Sequence, residues 1–133
     1  MTWFFNGKPF DAEDAEPYVG FVYLITNQLN GRKYIGKKLF KFSRSKKIKN
    51  SVRKRHTKID SDWETYYGSN KYLIADVQLH GPEHFKREIL RLCKTKAECN
   101  YFELKEQMVN DAILRDDYYN LWISAKIHRF KIS

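Results

Sequence analysis

G-F-V-Y-L-I-T-N-Q-L-N-G-R-K-Y-I-G, running from Gly20 to Gly36, is the stretch that decides the fold. Phe21, Tyr23 and Ile25 alternate with Val22, Leu24 and Thr26, a run rich in the aromatic and β-branched residues that suit a pleated strand. Asn30-Gly31 accepts positive φ at both central positions of a type I′ turn. Tyr34 and Ile35 resume an extended pattern, and Gly36 permits close approach of backbone or ligand where the second strand ends. The stretch therefore predicts a β-hairpin with one tyrosine planted on each strand.

Working outward, the charge of the chain is concentrated around this hairpin. The 133 residues carry 25 Lys/Arg against 16 Asp/Glu, a formal charge of +9. From Pro17 to Ile59 there are thirteen Lys/Arg and no acid, whereas the first sixteen residues hold four acids and one lysine. From Asp60 onward twelve acids nearly match eleven bases. A field localised in this way attracts polyanions and speeds encounter with them. Charge runs are often no more than a solvated face; coincidence with the hairpin favours nucleic acid. The N-terminus lacks the basic start and apolar run of a signal peptide, and no window approaches the ~18 apolar residues of a membrane span. Cytoplasmic residence with no membrane partner is the expectation. Cys93 and Cys99 lack CxxC spacing and are expected to be buried or idle thiols. His80 and His84 are separated by Gly81-Pro82 and are expected in a loop, not at one metal.

The order of elements follows from periodicity and capping. Residues 1–17 form an N-terminal arm, aromatic at Trp3, Phe4, Phe5 and Phe10 and then acidic. Its aromatics can pack on the core, meet another chain, or fold an acidic arm over the basic face. Residues 18–123 form the main domain, with a basic insert at 37–58, and 124–133 form a tail. Within the insert, Leu39, Phe40 and Phe42 suit either a helix start or a third extended piece, and residues 45–58 suit a thinly amphipathic helix or a loop ordered by DNA. Ser69 or Asn70 caps a helix over Lys71–His80, stopped by Gly81 and Pro82. Phe85–Cys93 reads as a strand. Thr95 and Glu98 form a capping box for a helix reaching about Asn110, and Leu121-Trp122-Ile123 gives the tail something apolar to dock. The expected fold is α+β, a small, mostly antiparallel three-stranded sheet flanked by helices.

Val22-Tyr23 and Tyr34-Ile35-Gly36, in this order of elements, resemble the two signatures of the GIY-YIG nuclease superfamily, with Phe21 in place of the first glycine. The segment Trp63 to Ser69, W-E-T-Y-Y-G-S, is similar to the phage-encoded, homing-endonuclease-like branch. The resemblance covers Gly20 to about Asn120. It implies a functional arginine at Arg44, ten residues after Tyr34, although a longer basic segment leaves Arg53 or Arg55 as alternatives. Family members often carry His or Tyr four residues after that arginine, where this chain has Ile48. The resemblance also implies a metal-binding glutamate at Glu103 on the late helix, with Glu106 as its control, and a supporting Tyr119-Asn120 pair.

The chemistry implied is phosphodiester hydrolysis of DNA to 5′-phosphate and 3′-hydroxyl ends. One carboxylate, Glu103, suits one Mg²⁺ or Mn²⁺ completed by waters and phosphate oxygens. A tyrosine with a pKa of about 10 is a poor base alone. Cations such as Arg44 and Lys38 are expected to lower it so that Tyr23 or Tyr34 can deprotonate water, and Arg44 would neutralise the non-bridging oxygens. Lys37, Lys41, Lys46, Lys47, Lys49, Arg53, Lys54, Arg55 and Lys58 are phosphate-binding candidates, giving affinity and salt dependence but no base choice. Without a separate reader, the chain has weak specificity, reads through its basic segment, or borrows a partner. A non-catalytic nucleic-acid-binding module of the same fold is the alternative. A protein-interaction adaptor working through the aromatic N-terminus is a third reading.

Overall fold

The computed structural model describes residues 2–47 and 54–132, with the backbone alone over residues 43–47 and 54–58. Its elements in chain order are β1 (Trp3–Phe5), β2 (Lys8–Phe10), the short α1 (Ala12–Ala15), β3 (Gly20–Asn27), β4 (Lys33–Leu39), β5 (Lys41–Lys47), β6 (Lys54–Asp60), α2 (Lys71–His80), β7 (Phe85–Cys93) and α3 (Lys96–Val109). Single 3₁₀ turns at Trp63–Thr65 and Pro82–His84 precede α2 and β7.

Five strands form one sheet in the order β2-β1-β7-β3-β4. The pairing of β1 with β7 is parallel and the others are antiparallel. The sheet is therefore mixed and five-stranded, which corrects the expected mostly antiparallel three-stranded one. The two extra strands come from the N-terminal aromatics, which take the first of the placements open to them. Trp3 is 1% exposed and packs edge-on against Phe21 and Tyr23, and its indole N–H donates to the Trp63 carbonyl at 2.8 Å. Burying a side chain of that size while satisfying its polar atom is a strong reason for a three-residue strand to dock.

The sheet has a core on each face. Phe21, Tyr23 and Ile25 of β3 point to the side covered by Leu73 and Val77 of α2 and by Trp63. Val22 and Ile35 point to the side covered by Cys99 and Phe102 of α3. A register shift where Val22/Tyr23 pair with Arg91 and Ile89 leaves Leu90 unopposed on β7. The bulge inverts the parity of that strand: Phe85 and Ile89 face α2 before it, and Leu92 faces α2 after it. It lies directly beside Tyr23.

Local signals hold with three corrections. Asn70 caps α2 by accepting from the Tyr72 and Leu73 amides. Thr95 caps α3 by accepting from the Glu98 amide, but Glu98 reaches back to the Lys94 amide and not to that of Thr95, so the expected box is displaced by one residue. The hairpin turn is longer than two residues. Among Asn30 and Gly31 only Gly31 has positive φ (77°), and the loop closes through Gly31 N to Asn27 O at 2.7 Å and Asn27 N to Arg32 O at 2.8 Å. His80 is the last residue of α2, not a loop residue.

The basic segment is extended. β5 and β6 form a separate antiparallel ribbon in register from Lys41↔Asp60 to Lys47↔Lys54, in place of the helix or loop expected there. Among the described residues, no helix is long and apolar enough to cross a membrane.

Candidate active site

β4 is an edge strand, bonded to β3 on one side only. In an antiparallel pair, alternate residues turn both backbone groups away from the partner. Here these are Lys33, Ile35 and Lys37, and each meets something different in place of a neighbouring strand. Lys33 donates to Asp117 O at 2.8 Å and accepts from Tyr119 N at 2.7 Å. Ile35 donates to Asn120 Oδ1 at 3.0 Å, while its carbonyl accepts from Asn120 Nδ2 at 2.8 Å and Gln107 Nε2 at 3.1 Å. The Lys37 amide lies near the carboxylate of Glu103 and favours its charged form. The acid singled out in the sequence thus stands beside the last rung of the edge.

That acid is held under tension between burial and charge. The Glu103 side chain is 19% exposed and stands 4.0 Å from Lys37 Nζ, which also donates to Asn100 Oδ1. Burial pushes its carboxyl above the ordinary carboxylate range, opposed in part by the Lys37 charge and amide. Glu106, one turn away in sequence, instead approaches Arg91 Nε at 3.5 Å.

On the opposite face of β4 lie the tyrosines. The Tyr23 hydroxyl occupies the space that a side chain at Gly36 would need: a Cβ there would sit 2.4 Å from it. This is the close approach that requires glycine. Tyr34 is half-buried, with its hydroxyl 3.2 Å from Ser69 Oγ. The rings of Tyr23 and Tyr34 are 6.1 Å apart, and Tyr66 meets Tyr23 edge-on at 5.9 Å. Lys38 places Nζ 4.1 Å over the Tyr66 ring and 2.6 Å from Asp62 Oδ1, holding the Asp62 carboxyl below its usual range.

The expected lowering of the tyrosine pKa by cations is corrected here. Burial pushes both phenols up, Tyr23 well above 10 with help from Tyr66 and Tyr34, and Tyr34 less, because Ser69 opposes the shift. Lys38 spends its charge on Asp62 and the Tyr66 ring.

Tyr34 and Glu103 line one cavity of about 450 Å³, together with Ser69, Lys71, Gln107 and Asn120. Among the described residues, no three His, Cys, Asp or Glu come together as a ligand cage. A lone, largely desolvated carboxylate beside amide groups fits a hard divalent ion that keeps most of its waters, as Mg²⁺ does. It does not fit zinc.

Other expected residues stand further off or are described only in part. The Arg44 backbone lies in β5 opposite Thr57. Lys46, Lys47, Lys54, Arg55 and Lys58 are on the same ribbon. Lys49, Arg53 and Ile48 lie outside the described residues. Lys41 is 3.3 Å from Glu16. The expected docking of Leu121 and Trp122 is not seen; both are exposed.

Sequence reading missed Ser69, Tyr66 and Gln107 as members of the site. Gln107 follows Glu103 by four residues, the spacing that shares a helix face, and so had a signal. It also missed Arg87, which is buried between Trp3 and Tyr67 and donates to the carbonyls of Glu64 (3.0 Å) and Tyr66 (2.9 Å). Arg87 thereby ties the segment bearing Tyr66 and Ser69 to the sheet.

A family profile described as "Putative endonuclease segE, GIY-YIG domain" matches residues 3–123. A relative from Enterobacteria phage T4, "Putative endonuclease segE", is 32% identical over 101 residues, which are 76% of this chain and 40% of the relative. The chain thus spans less than half the length of that curated relative. No solved structure matches the chain. Profile and relative together settle the family: the chain belongs to the GIY-YIG family, in the branch of segE endonuclease domains.

Proposed function

We propose that the chain is a metal-dependent DNA endonuclease whose centre is the cavity shared by Tyr34 and Glu103. The observation that carries this reading is the placement of Glu103, 4.0 Å from Lys37 Nζ at the edge of β4 and lining the same cavity as Tyr34. Glu103 would hold one Mg²⁺ or Mn²⁺, which when bound supplies Lewis-acid stabilisation of charge on the phosphate and the leaving oxygen. Gln107 and Asn120 keep the Ile35 rung closed, so the carboxylate meets the cavity from a rigid strand edge.

Tyr34 is the phenol placed to meet water, because it is half-buried and lines the cavity. Once ionised, with Ser69 stabilising the phenolate, it orients the attacking water and takes the water's proton. The new bond forms between water oxygen and phosphorus, the bond to the 3′ oxygen breaks, and that oxygen takes a proton from solvent to leave as the 3′-hydroxyl. Tyr23 is a positioning residue, wedged against Gly36 and packed on Tyr66. Since burial raises the Tyr34 pKa, the rate should climb as pH rises on the alkaline side of neutrality. The β5–β6 ribbon supplies sequence-independent phosphate contacts, with Arg44 and its lysines as the cations. On this reading the protein works in the cytoplasm of a host cell, which the phage origin of the similar endonuclease supports.

Plasmid incubated with the protein and Mg²⁺ or Mn²⁺ should be nicked or cut, EDTA should stop it, and the ends should be directly ligatable. DNA binding without cleavage under either metal would replace this reading with a non-catalytic binding module.

A further inference from the structure

The strongest unassigned feature lies on the rim of the same cavity. The chain has three tryptophans. Trp3 and Trp63 are buried in the core, whereas Trp122 is 78% exposed and its neighbour Leu121 is 65% exposed. Single exposed apolar side chains are ordinary, but two in succession on the rim of a cavity make the kind of patch that marks a ligand-binding groove. The chain leading to it is well held, because Tyr119 and Asn120, just before Leu121, are pinned. Asn120 clasps Ile35, and the Tyr119 hydroxyl donates to Asp76 Oδ2 at 2.6 Å while accepting from Asn27 Nδ2 at 3.1 Å. Trp122 and Leu121 line the cavity that holds Tyr34 and Glu103, and Lys71 brings a cation to the same rim.

We infer that Trp122 is a base-stacking platform that receives an unpaired nucleobase beside the phosphate presented to Glu103, with Lys71 meeting an adjoining phosphate. The inference rests on DNA being the substrate and adds that the substrate is taken up with a base out of its stack. An indole face accepts any base, since every base has a π-face, and stacking holds the strand without reading sequence. The rim joins an apolar face to a cation, the pairing that single-stranded nucleic acid presents in complement. A general protein-binding patch has no need of that cation or of a cavity leading to a carboxylate.

The test uses the full chain in EDTA, so that nothing is cut, titrated with a single-stranded oligonucleotide and with a perfect duplex of the same length. Trp3 and Trp63 supply a constant buried background, and emission from Trp122 should be quenched by the single strand more than by the duplex. Trp122→Ala should abolish the quenching and weaken single-strand affinity on the order of tenfold, and Trp122→Phe should restore most of that affinity. Both variants should keep the wild-type slope of log affinity against log salt, because phosphate contacts are untouched. If the wild type binds DNA but its emission does not change and Trp122→Ala binds equally well, the platform is refuted while the nuclease reading stands. Trp122 already shielded from acrylamide without DNA would also refute it, since a protein surface would then cover the ring. Failure of the chain either to bind or to cut DNA would remove both together.

Discussion

The two edges of the five-stranded sheet solve one problem in opposite ways. An exposed edge invites pairing with another chain. At one edge, β2 is three residues long and carries Pro9, which has no N–H to offer. At the other edge, β4 is seven residues long, and its outward groups are closed by the tail backbone and by Asn120 and Gln107, with Glu103 standing beside Lys37. Blunting an edge with proline leaves nothing that can react. Covering it with amide side chains beside a carboxylate leaves those groups facing a cavity, so the same contacts that stop aggregation also hold the acid in place. The site exists because β4 lacks a neighbour.

Several substitutions can break that contrast. The largest effect is expected at the phenol that meets the cavity: Tyr34→Phe should slow plasmid cleavage by about 10²-fold or more, with the unfolding curve nearly unchanged. A full-rate Tyr34→Phe would move the base elsewhere, with Tyr23 the first suspect. Gly36→Ala should cost about 1–3 kcal/mol in urea unfolding, since the new Cβ meets the Tyr23 hydroxyl. In a Tyr23→Phe background the penalty should shrink, and strict additivity would show that the hydroxyl is not what fills the space. Asn120→Ala strips partners from both Ile35 groups and should cost about 1–3 kcal/mol, with cleavage falling in parallel as the edge loosens.

The carboxylate itself leaves a mark on pH dependence. Folding raises the Glu103 pKa, so the unfolded chain releases that proton first as pH rises. Between the two values the native state holds more protons, and stability must fall with rising pH across that window. Glu103→Gln should flatten this fall in urea titrations run from the ordinary carboxylate range upward; an unchanged slope would place the acid in water. At the far edge, Pro9→Ala should shift stability by no more than about 0.5 kcal/mol and leave cleavage untouched. If Pro9→Ala slowed cleavage, the division between a structural and a chemical edge would fail.

Much of the domain is legible in the sequence because its signals are local. The alternation from Phe21 to Thr26, the cap at Asn70 and the stop at Gly81 each depend on a few neighbouring residues, and each matches the structure. The N-terminal strands are not legible in this way. Three residues such as Trp3–Phe5 carry no periodicity, and their pairing with Arg87, Glu88 and Ile89 is set by contacts more than eighty positions away. The basic segment failed for a different reason: a run dominated by lysine and arginine has no apolar alternation to read. At the site, the types of residue were readable but their states were not. Nothing in Y-I-G shows that the first tyrosine's hydroxyl sits over the glycine of the second strand, or that burial outweighs nearby lysines in raising both phenols. Leu121 and Trp122 look in sequence like an apolar latch, and only their exposure distinguishes a latch from a surface offered to a ligand.

The central claim is that Glu103, and not its neighbour on the same helix, makes the β4 edge a cutting site. The direct measurement is plasmid cleavage in Mg²⁺ and in Mn²⁺ by Glu103→Gln beside Glu106→Gln, at matched folded concentrations. Removing the carboxylate proposed to hold the metal should lower the rate by about 10²–10³-fold or more, while Glu106→Gln, which only disturbs the contact with Arg91, should stay within a few-fold of the parent. Glu103→Gln cutting at the parental rate, or Glu106→Gln being the dead variant, would contradict the account.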